Sequence, residues 1–300
     1  MYKNIIPGLV SFETDLDNLR GFYFTPNFSF YLPTKDKQVL HYRINLTNLI
    51  DTKDNYTVRH GYCLGTKTNL WYKRKLAAFV SLHLSYEQYE KQFKFNTPLS
   101  LLPFEVGGLM PAGKIIADFI NYELFLMNYI VLRACAFKIN NTTIIIVAPG
   151  FNGKTSVIEK VLNSGGKYIA EDLIVWSPEK ECVWGTAAFA KNFGRKENKS
   201  IVSKLTKNNI LSGPIAYDTI YFAYNSTIKS EHNDVKNLVS YLFVNSMFFL
   251  NNNFVKLAMF QNNEADRVLS RLTQMSQFLE TSKIKHFNVI NWDWEKIIYG

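Results

Sequence analysis

Cysteine is scarce in this sequence of 300 residues, and its three copies lie far apart. Cys63, Cys135 and Cys182 form no CxxC pair and have no histidine partner at metal-ligand spacing, which argues against a zinc site. The five histidines are equally scattered along the chain: His41, His60, His83, His232 and His286. Isolated thiols in odd number are typical of a reducing compartment, so the sequence predicts a cytoplasmic protein.

Uninterrupted hydrophobic runs of membrane-spanning length are lacking as well. The long apolar stretch Ile115–Ile139 is broken by Asp118, Glu123 and Arg133. Because charged side chains are costly in lipid, this stretch is predicted to form buried elements of a soluble protein. The first twenty residues also lack the basic, apolar and small-residue order of a secretory signal. We therefore expect no membrane span.

Acidic residues are outnumbered by basic ones, which gives a formal net charge of +9. The densest basic run, Lys191–Lys207, contains few aromatic residues and is typical of either a solvated loop or a contact with phosphates or an acidic substrate. Nucleic-acid-binding proteins usually interleave basic and aromatic residues or carry a recognisable helical motif. Neither is present, so no nucleic-acid partner is predicted.

Apolar residues, by contrast, are plentiful at 47%, and a chain of this length can form two modest domains or one large one. Residues 1–111 are predicted to form a mainly β domain, with polar breaks at Asp51–Tyr56 and Gly61–Thr68. Its expected strands are Phe22–Leu32, Val39–Leu46 and Leu76–Leu84.

Residues 112–300 are predicted to form one α/β domain. Apolar residues from Ile115 to Met127 recur at helical spacing, and the β-branched run Thr142–Val147 favours a buried strand. Further strands are expected at Val131–Ile139, Tyr168–Trp176, Thr219–Ala223 and Phe287–Ile290. Further helices are expected at Ser156–Leu162, Val235–Phe249 and Glu264–Glu280.

The segment between Val147 and the next helix matches a phosphate-binding P-loop with alanine in place of the first glycine. It consists of Ala148, Pro149, Gly150, Phe151, Asn152, Gly153, Lys154 and Thr155, followed by Ser156. In such a loop the backbone N–H groups surround a phosphate, the lysine contacts the β- and γ-phosphates, and the hydroxyl binds Mg²⁺. The alternative is an ordinary glycine turn between a strand and a helix.

Two adjacent acids, Glu171 and Asp172, lie inside the apolar run Tyr168–Trp176. Burying unpaired carboxylates is costly, so their position needs a reason. One carboxylate could bind a metal ion, and the other could accept a proton from an attacking hydroxyl. The alternative is an acidic turn at a strand end, with both groups in water.

The segment Val131–Trp176 resembles the core of the HPr kinase/phosphorylase family, which is related in fold to phosphoenolpyruvate carboxykinase. The resemblance implies that Lys154 and Thr155 hold ATP and Mg²⁺, that Glu171 is the general base and that Asp172 is the metal-associated acid. Arg133 stands where the family has histidine, and it could hold a phosphate or pair with Glu171. The β-rich N-terminal region would then be an accessory domain that selects the substrate.

The sequence thus predicts an ATP- and Mg²⁺-dependent kinase that phosphorylates a hydroxyl of a protein, a peptide or a small molecule. Lys191 and Arg195 are the candidates for a second cationic contact. The alternative is a catalytically inactive nucleotide-binding protein that acts as a regulator or partner. The acceptor, the choice between ATP, GTP and pyrophosphate as donor, and a homo-oligomeric state are left open.

Overall fold

The computed structural model describes residues 1–25, 27–47, 56–77, 80–96, 111–148, 153–188, 201–224, 246–281 and 284–288. The chain is mixed α/β, with several sheets and a few helices. Its contacts divide it into two compact units, one made of Met1–Met127 and Met247–Ser270, the other of Asn128–Ser246 and Arg271–Gly300. Among the described residues, the main helices are α1 (Ala112–Leu126), α2 (Lys154–Asn163), the 3-10 turn Phe248–Asn251, α3 (Asn253–Gln261) and α4 (Ala265–Thr281).

The first unit is built on an eight-stranded sheet in the order β1-β2-β3-β8-β7-β6-β5-β4. One face of this sheet is aromatic and buried, and α1 packs on it through Phe119, whose ring centroid lies 4.5 Å from that of Tyr86. The strands are β1 (Lys3–Ile6), β2 (Val10–Glu13), β3 (Leu40–Leu46), β4 (Val58–His60), β5 (Cys63–Gly65), β6 (Asn69–Ala77), β7 (Val80–Glu87) and β8 (Gln92–Phe95).

The strand predicted at Val39–Leu46 is confirmed as β3, whereas two other predictions for this region were wrong. The described residues of Phe22–Leu32 form turns and irregular backbone, because their rings fill the core from a loop. Phe22 and Phe28, for example, lie edge-on to Phe12 at 5.5 and 5.2 Å. The polar break expected at Gly61–Thr68 contains β5, which pairs with strands on both sides.

Leu76–Leu84, predicted as one strand, includes the end of β6 and the start of β7, which pair as an antiparallel hairpin. The turn expected at Asp51–Tyr56 lies, except for Tyr56, outside the described residues.

The second unit contains two sheets. A five-stranded sheet has the order β12-β10-β11-β16-β17, and a four-stranded antiparallel sheet has the order β15-β14-β13-β9. Strands β11, β16 and β17 run parallel, and β10 runs antiparallel to β11 and β12. The strands are β9 (Ile130–Leu132), β10 (Ala134–Ile139), β11 (Thr142–Val147), β12 (Lys167–Ala170), β13 (Ile174–Ser177), β14 (Cys182–Gly185), β15 (Ile215–Ala216), β16 (Thr219–Tyr224) and β17 (Ile284–Asn288).

Helix α2 packs on one face of the five-stranded sheet. Val157, Ile158 and Val161 of the helix are completely buried. They belong to a single apolar cluster with alternate residues of β10 and β11: Cys135, Phe137, Ile139, Ile144 and Ile146. This packing fixes the N-terminal end of α2 next to the end of β11.

The chain passes between the two sheets at two places. A single residue, Arg133, separates β9 of the four-stranded sheet from β10 of the five-stranded sheet. Residues 171–173 separate β12 of the five-stranded sheet from β13 of the four-stranded sheet. The runs Val131–Ile139 and Tyr168–Trp176, each predicted as one strand, are therefore two strands apiece. The break is hidden in the sequence because both sheets are buried and equally apolar.

Most other predictions for this region agree well with the structure where it describes them. Thr142–Val147 is β11, the helix at Ser156–Leu162 is α2, and the helix at Glu264–Glu280 is α4. The strand expected at Thr219–Ala223 is β16. Of Phe287–Ile290, residues 287 and 288 end β17, and residues 289 and 290 lie outside the described part. Val235–Phe249, predicted as a helix, lies outside it up to residue 245; Met247 is not helical, and residues 248 and 249 begin the 3-10 turn Phe248–Asn251, so the described end of this prediction was wrong.

The predicted domain boundary near residue 111 differs from the division of contacts. Helix α1 belongs with the eight-stranded sheet, because its apolar side is buried against the aromatic face of that sheet. Met247–Ser270 also belongs to the first unit, so the two units are not consecutive halves of the chain.

Candidate functional site

The start of α2 follows a glycine in the left-handed conformation. Gly153 precedes the helix with φ of 75°, a left-handed conformation in which glycine is strongly favoured. Its carbonyl accepts from the N–H of Val157 at 3.1 Å, which closes the first turn. Because Gly153 has no side chain, it offers no cap to the N–H groups of that turn, and these remain suited to an anion.

Lys154 is folded back into the unit, with 5% of its surface exposed. Its Nζ donates a hydrogen bond to the carbonyl oxygen of Ala148 at 2.9 Å, across the mouth of the loop. Burial lowers the pKa of this ammonium; Asp172 opposes that change, and Arg133 reinforces it. A cation is therefore held in a dry position where a negative ligand would stabilise it.

Thr155 donates a hydrogen bond from its hydroxyl to Oε1 of Glu171. Glu171 is completely buried, which rules out for this residue the solvated acidic turn that the sequence left open. The hydroxyl of the loop and the first of the two acids are thus in direct contact. A hydroxyl beside a carboxylate is a pair of oxygen ligands of the kind that Mg²⁺ prefers.

Asp172 does not share the partner of Glu171 but forms an ion pair with Arg133. Arg133 Nη2 lies 3.9 Å from Asp172 Oδ2, and the side chains are 41% and 15% exposed, respectively. The sequence had suggested Glu171 as the partner of this arginine, so the ion pair forms with the neighbouring acid instead. Both acids lie in a bend between β12 and β13, and their carboxylates have different surroundings.

Strand register explains why these residues meet. In the antiparallel pair β10–β11, Ala134 lies opposite Val147, so Arg133 and Ala148 follow at the same end of the pair. In the pair β10–β12, Ala136 lies opposite Ala170, and Glu171 comes next. Ala148, Arg133 and the two acids therefore lie at the same end of the neighbouring strands β11, β10 and β12.

Sequence reasoning missed two residues of this site. Cys135 is fully buried and interacts electrostatically with Lys154; burial raises the pKa of its thiol to about 12, so it remains protonated. Thr186 is also buried, and its hydroxyl donates to the carbonyl oxygen of Leu173 at 2.5 Å, which anchors the connection that carries the acids. Cys135 could have been found from the sequence because it lies two residues after Arg133, whereas nothing in the sequence pointed to Thr186.

Some predicted site residues cannot be placed. Pro149, Gly150, Phe151 and Asn152 lie outside the described residues, as do Lys191 and Arg195. Ser156 is described and is exposed on the first turn of α2.

The described groups fit a nucleotide phosphate with Mg²⁺. The donors needed for phosphate are a helix N-terminus and a buried ammonium, and the oxygens suited to Mg²⁺ are a hydroxyl and carboxylates. Within the described part of the chain, no group of three or more His, Cys, Asp and Glu side chains could hold a metal ion by itself. A metal at this site would therefore share its coordination with the phosphates and with water.

No known family model matches the chain, and no curated protein matches its sequence. Among solved structures, one that matches is the Hpr(Ser) kinase/phosphatase from Coxiella burnetii, with 10% identity, 34% of this chain and 67% of that chain covered, and a TM-score of 0.26. At this score the likeness carries no argument about activity. Among the described helices, none is long and apolar enough to cross a membrane.

Proposed function

We propose that this protein is an ATP- and Mg²⁺-dependent phosphotransferase that acts on a hydroxyl group. The observation that carries the proposal is the buried Lys154 at the N-terminus of α2, beside the hydrogen-bonded pair of Thr155 and Glu171. Each of these groups would have a distinct role at a nucleotide phosphate. Lys154 and Thr155 lie in the first turn of α2, and Glu171 contacts Thr155.

The electrostatics of Lys154 favour a polyanionic ligand. The N-terminus of a helix carries a partial positive charge, and a buried ammonium next to it is doubly unfavourable in the absence of an anion. The lowered pKa of Lys154 expresses this cost. A phosphate group would offset both charges at once, whereas a neutral ligand would offset neither.

Thr155 and one of the two adjacent carboxylates would hold Mg²⁺, since hydroxyl and carboxylate oxygens suit this ion. When bound, the ion neutralises charge on the phosphates and draws electron density from the transferred group. Lys154 and the N–H groups of α2 would hold the same phosphates from the protein side. Their preorganised positive charge would stabilise the negative charge that develops during transfer.

The transfer joins the oxygen of the acceptor hydroxyl to the terminal phosphorus of ATP. The bond from that phosphorus to the bridging oxygen breaks, and ADP leaves with the electron pair. The proton of the hydroxyl passes to the carboxylate that does not hold the metal. Lys191 and Arg195 remain predicted contacts of the acceptor or the phosphates.

The acceptor is proposed to be a protein, a peptide or a small molecule, selected by the β-rich N-terminal region. Arg133, 41% exposed beside Asp172, would attract an acceptor that carries negative charge.

Calorimetric titration with Mg·ATP tests the nucleotide site. Wild type is expected to bind, and Lys154→Ala is expected to lose most of the affinity. Lys160→Ala is the matched control, because Lys160 is exposed in the last turn of the same helix. Binding by all three proteins, or by none, would show that the loop is only a turn and would remove the proposal.

A nucleotide-binding protein without transfer activity is the second candidate. One observation favours it: Asp172, a candidate proton acceptor, is paired with Arg133, a side chain that cannot give up its own proton. Incubation with γ-labelled ATP and candidate acceptors separates the two. A kinase transfers label and loses this activity when both carboxylates are replaced by amides, whereas a binding protein transfers none.

A further inference from the structure

The two adjacent carboxylates of the site differ in burial and in partners. Glu171 has no exposed surface and accepts the hydroxyl hydrogen bond of Thr155. Asp172 keeps 15% of its side chain exposed and lies 3.9 Å from Arg133. The structure therefore distinguishes a buried carboxylate on the loop side from a partly open carboxylate on the solvent side.

We infer that Glu171 is the metal-side carboxylate, with Thr155, and that Asp172, positioned by Arg133, is the carboxylate that receives the acceptor hydroxyl. This inference rests on the proposed function and divides the work between the two acids. The resemblance of the sequence implies the opposite division, with Asp172 at the metal and Glu171 as the base.

The contact between Thr155 and Glu171 supports the metal-side assignment. The hydroxyl of Thr155 is the group through which this loop would bind Mg²⁺, and Glu171 already touches that hydroxyl. A carboxylate that lies against one ligand of a metal can join it as a second ligand or bind its water.

Access supports the acceptor-side assignment. An acceptor arrives from solvent, and a general base must come within hydrogen-bond reach of the hydroxyl that it deprotonates. Glu171 has no surface that an incoming molecule could touch, whereas Asp172 does. Arg133 Nη2 lies 3.9 Å from one oxygen of Asp172, and at 41% exposure this side chain can also contact the acceptor.

Metal binding separates the two assignments without any knowledge of the acceptor. Mn²⁺ would replace Mg²⁺ as the probe, and its affinity in the complex with the non-hydrolysable analogue AMP-PNP would be measured by electron paramagnetic resonance. Glu171→Gln and Thr155→Val are expected to weaken Mn²⁺ binding about tenfold or more, since lost metal contacts typically have effects of this size. Asp172→Asn and Arg133→Gln are expected to stay within about twofold of wild type.

Glu171→Gln is nearly isosteric, and circular dichroism with thermal unfolding would verify that each variant is folded. Thr155→Ser, which keeps the hydroxyl, is expected to restore Mn²⁺ binding and serves as a second route if Glu171→Gln fails to fold. A larger loss in Asp172→Asn than in Glu171→Gln would overturn the division, and so would equal losses or no loss in both. Failure of wild type to bind AMP-PNP would instead overturn the proposed function, and the division with it.

Discussion

Asp118 and Glu171 are both completely removed from solvent, but their surroundings differ. Asp118, on α1 in the first unit, accepts three hydrogen bonds from separate segments of that unit, with Tyr23, Lys114 and Asn252 as donors. Glu171, in the second unit, contacts the hydroxyl of Thr155 at the start of a helix that follows a glycine. Burial alone therefore does not single out Glu171 as a candidate functional carboxylate. The chemistry of its neighbours does.

The same contrast holds for the nearest lysines. Lys114 lies one helical turn before Asp118, with Nζ 2.8 Å from the carboxylate and 30% of the side chain exposed. Lys154 donates to a backbone carbonyl and is more deeply buried. The first lysine completes a structural network, and the second occupies a position where a phosphate would be favourable. Four experiments test this contrast.

The largest effect is expected from Asp118→Ala. Loss of the carboxylate removes the three hydrogen bonds that it accepts from Tyr23, Lys114 and Asn252, so the free energy of unfolding should fall by about 3 kcal/mol. Urea denaturation measures this, with Asp17→Ala as the control, because Asp17 is 78% exposed in a surface ion pair with Lys3. Mg·ATP affinity should be unchanged at low temperature. Selective loss of nucleotide binding in a stable Asp118→Ala protein would contradict the structural role.

The next effect is expected from the two lysines, each replaced by methionine. Lys154→Met should weaken Mg·ATP binding about thirtyfold, since a hydrogen bond to a charged group is lost. Its melting temperature without ligand should stay equal or rise, because burial of the charge is unfavourable and lowers the pKa of Lys154. Lys114→Met should do the reverse, losing stability and keeping affinity. Calorimetry and thermal unfolding of both variants decide between these patterns.

A smaller effect is expected from Gly185→Ala. The added Cβ would come within 2.1 Å of the carbonyl oxygen of Ile169, a backbone atom of β12, the strand that leads to Glu171. Relief of this overlap should cost about 2 kcal/mol and weaken Mg·ATP binding as well. Gly65→Ala is a matched control, because its Cβ would meet the end of the flexible Gln261 side chain, also at 2.1 Å. Equal losses in the two variants would show that sheet packing near Glu171 is not special.

The smallest effect is a pH dependence. Burial raises the pKa of Asp118 above 3.8, with Lys114 as the main opposing influence. Between 3.8 and the raised value, the folded state binds more protons than the unfolded state, so this residue makes stability fall as pH rises. Its contribution is therefore most favourable below pH 3.8. Raising the pH from about 3.5 to 7 should therefore lower the unfolding free energy of wild type relative to that of Asp118→Asn. A relative rise would contradict this prediction.

Local patterns in the sequence were sufficient for the elements that hold the loop. The turn at Asn140–Asn141 has φ values of 49° and 64°, which asparagine tolerates, and the β-branched residues after it form β11. The helix after Lys154 follows from its apolar spacing and from the glycine before it. These features depend on neighbouring residues only, so a single sequence reveals them.

The arrangement of the acids depended on contacts that the sequence does not display. Glu171 and Asp172 were expected inside a strand, but they lie in a connection between two sheets. Because β12 and β13 are both buried, no change of periodicity marks the point where the chain leaves the first sheet. The pairing of Arg133 with Asp172 likewise depends on strand register, which is set across the sheet.

The single residue between β9 and β10 makes the fold at this point tolerant of changes in identity and intolerant of changes in length. Side chains alternate in a strand, so one inserted residue at position 133 would turn Cys135, Phe137 and Ile139 away from α2 or force the register with β11 to slip. Substitution of Arg133 alters only a side chain. A library of variants at this position, scored for folding, should therefore retain the fold with many amino acids and lose it with every single insertion or deletion.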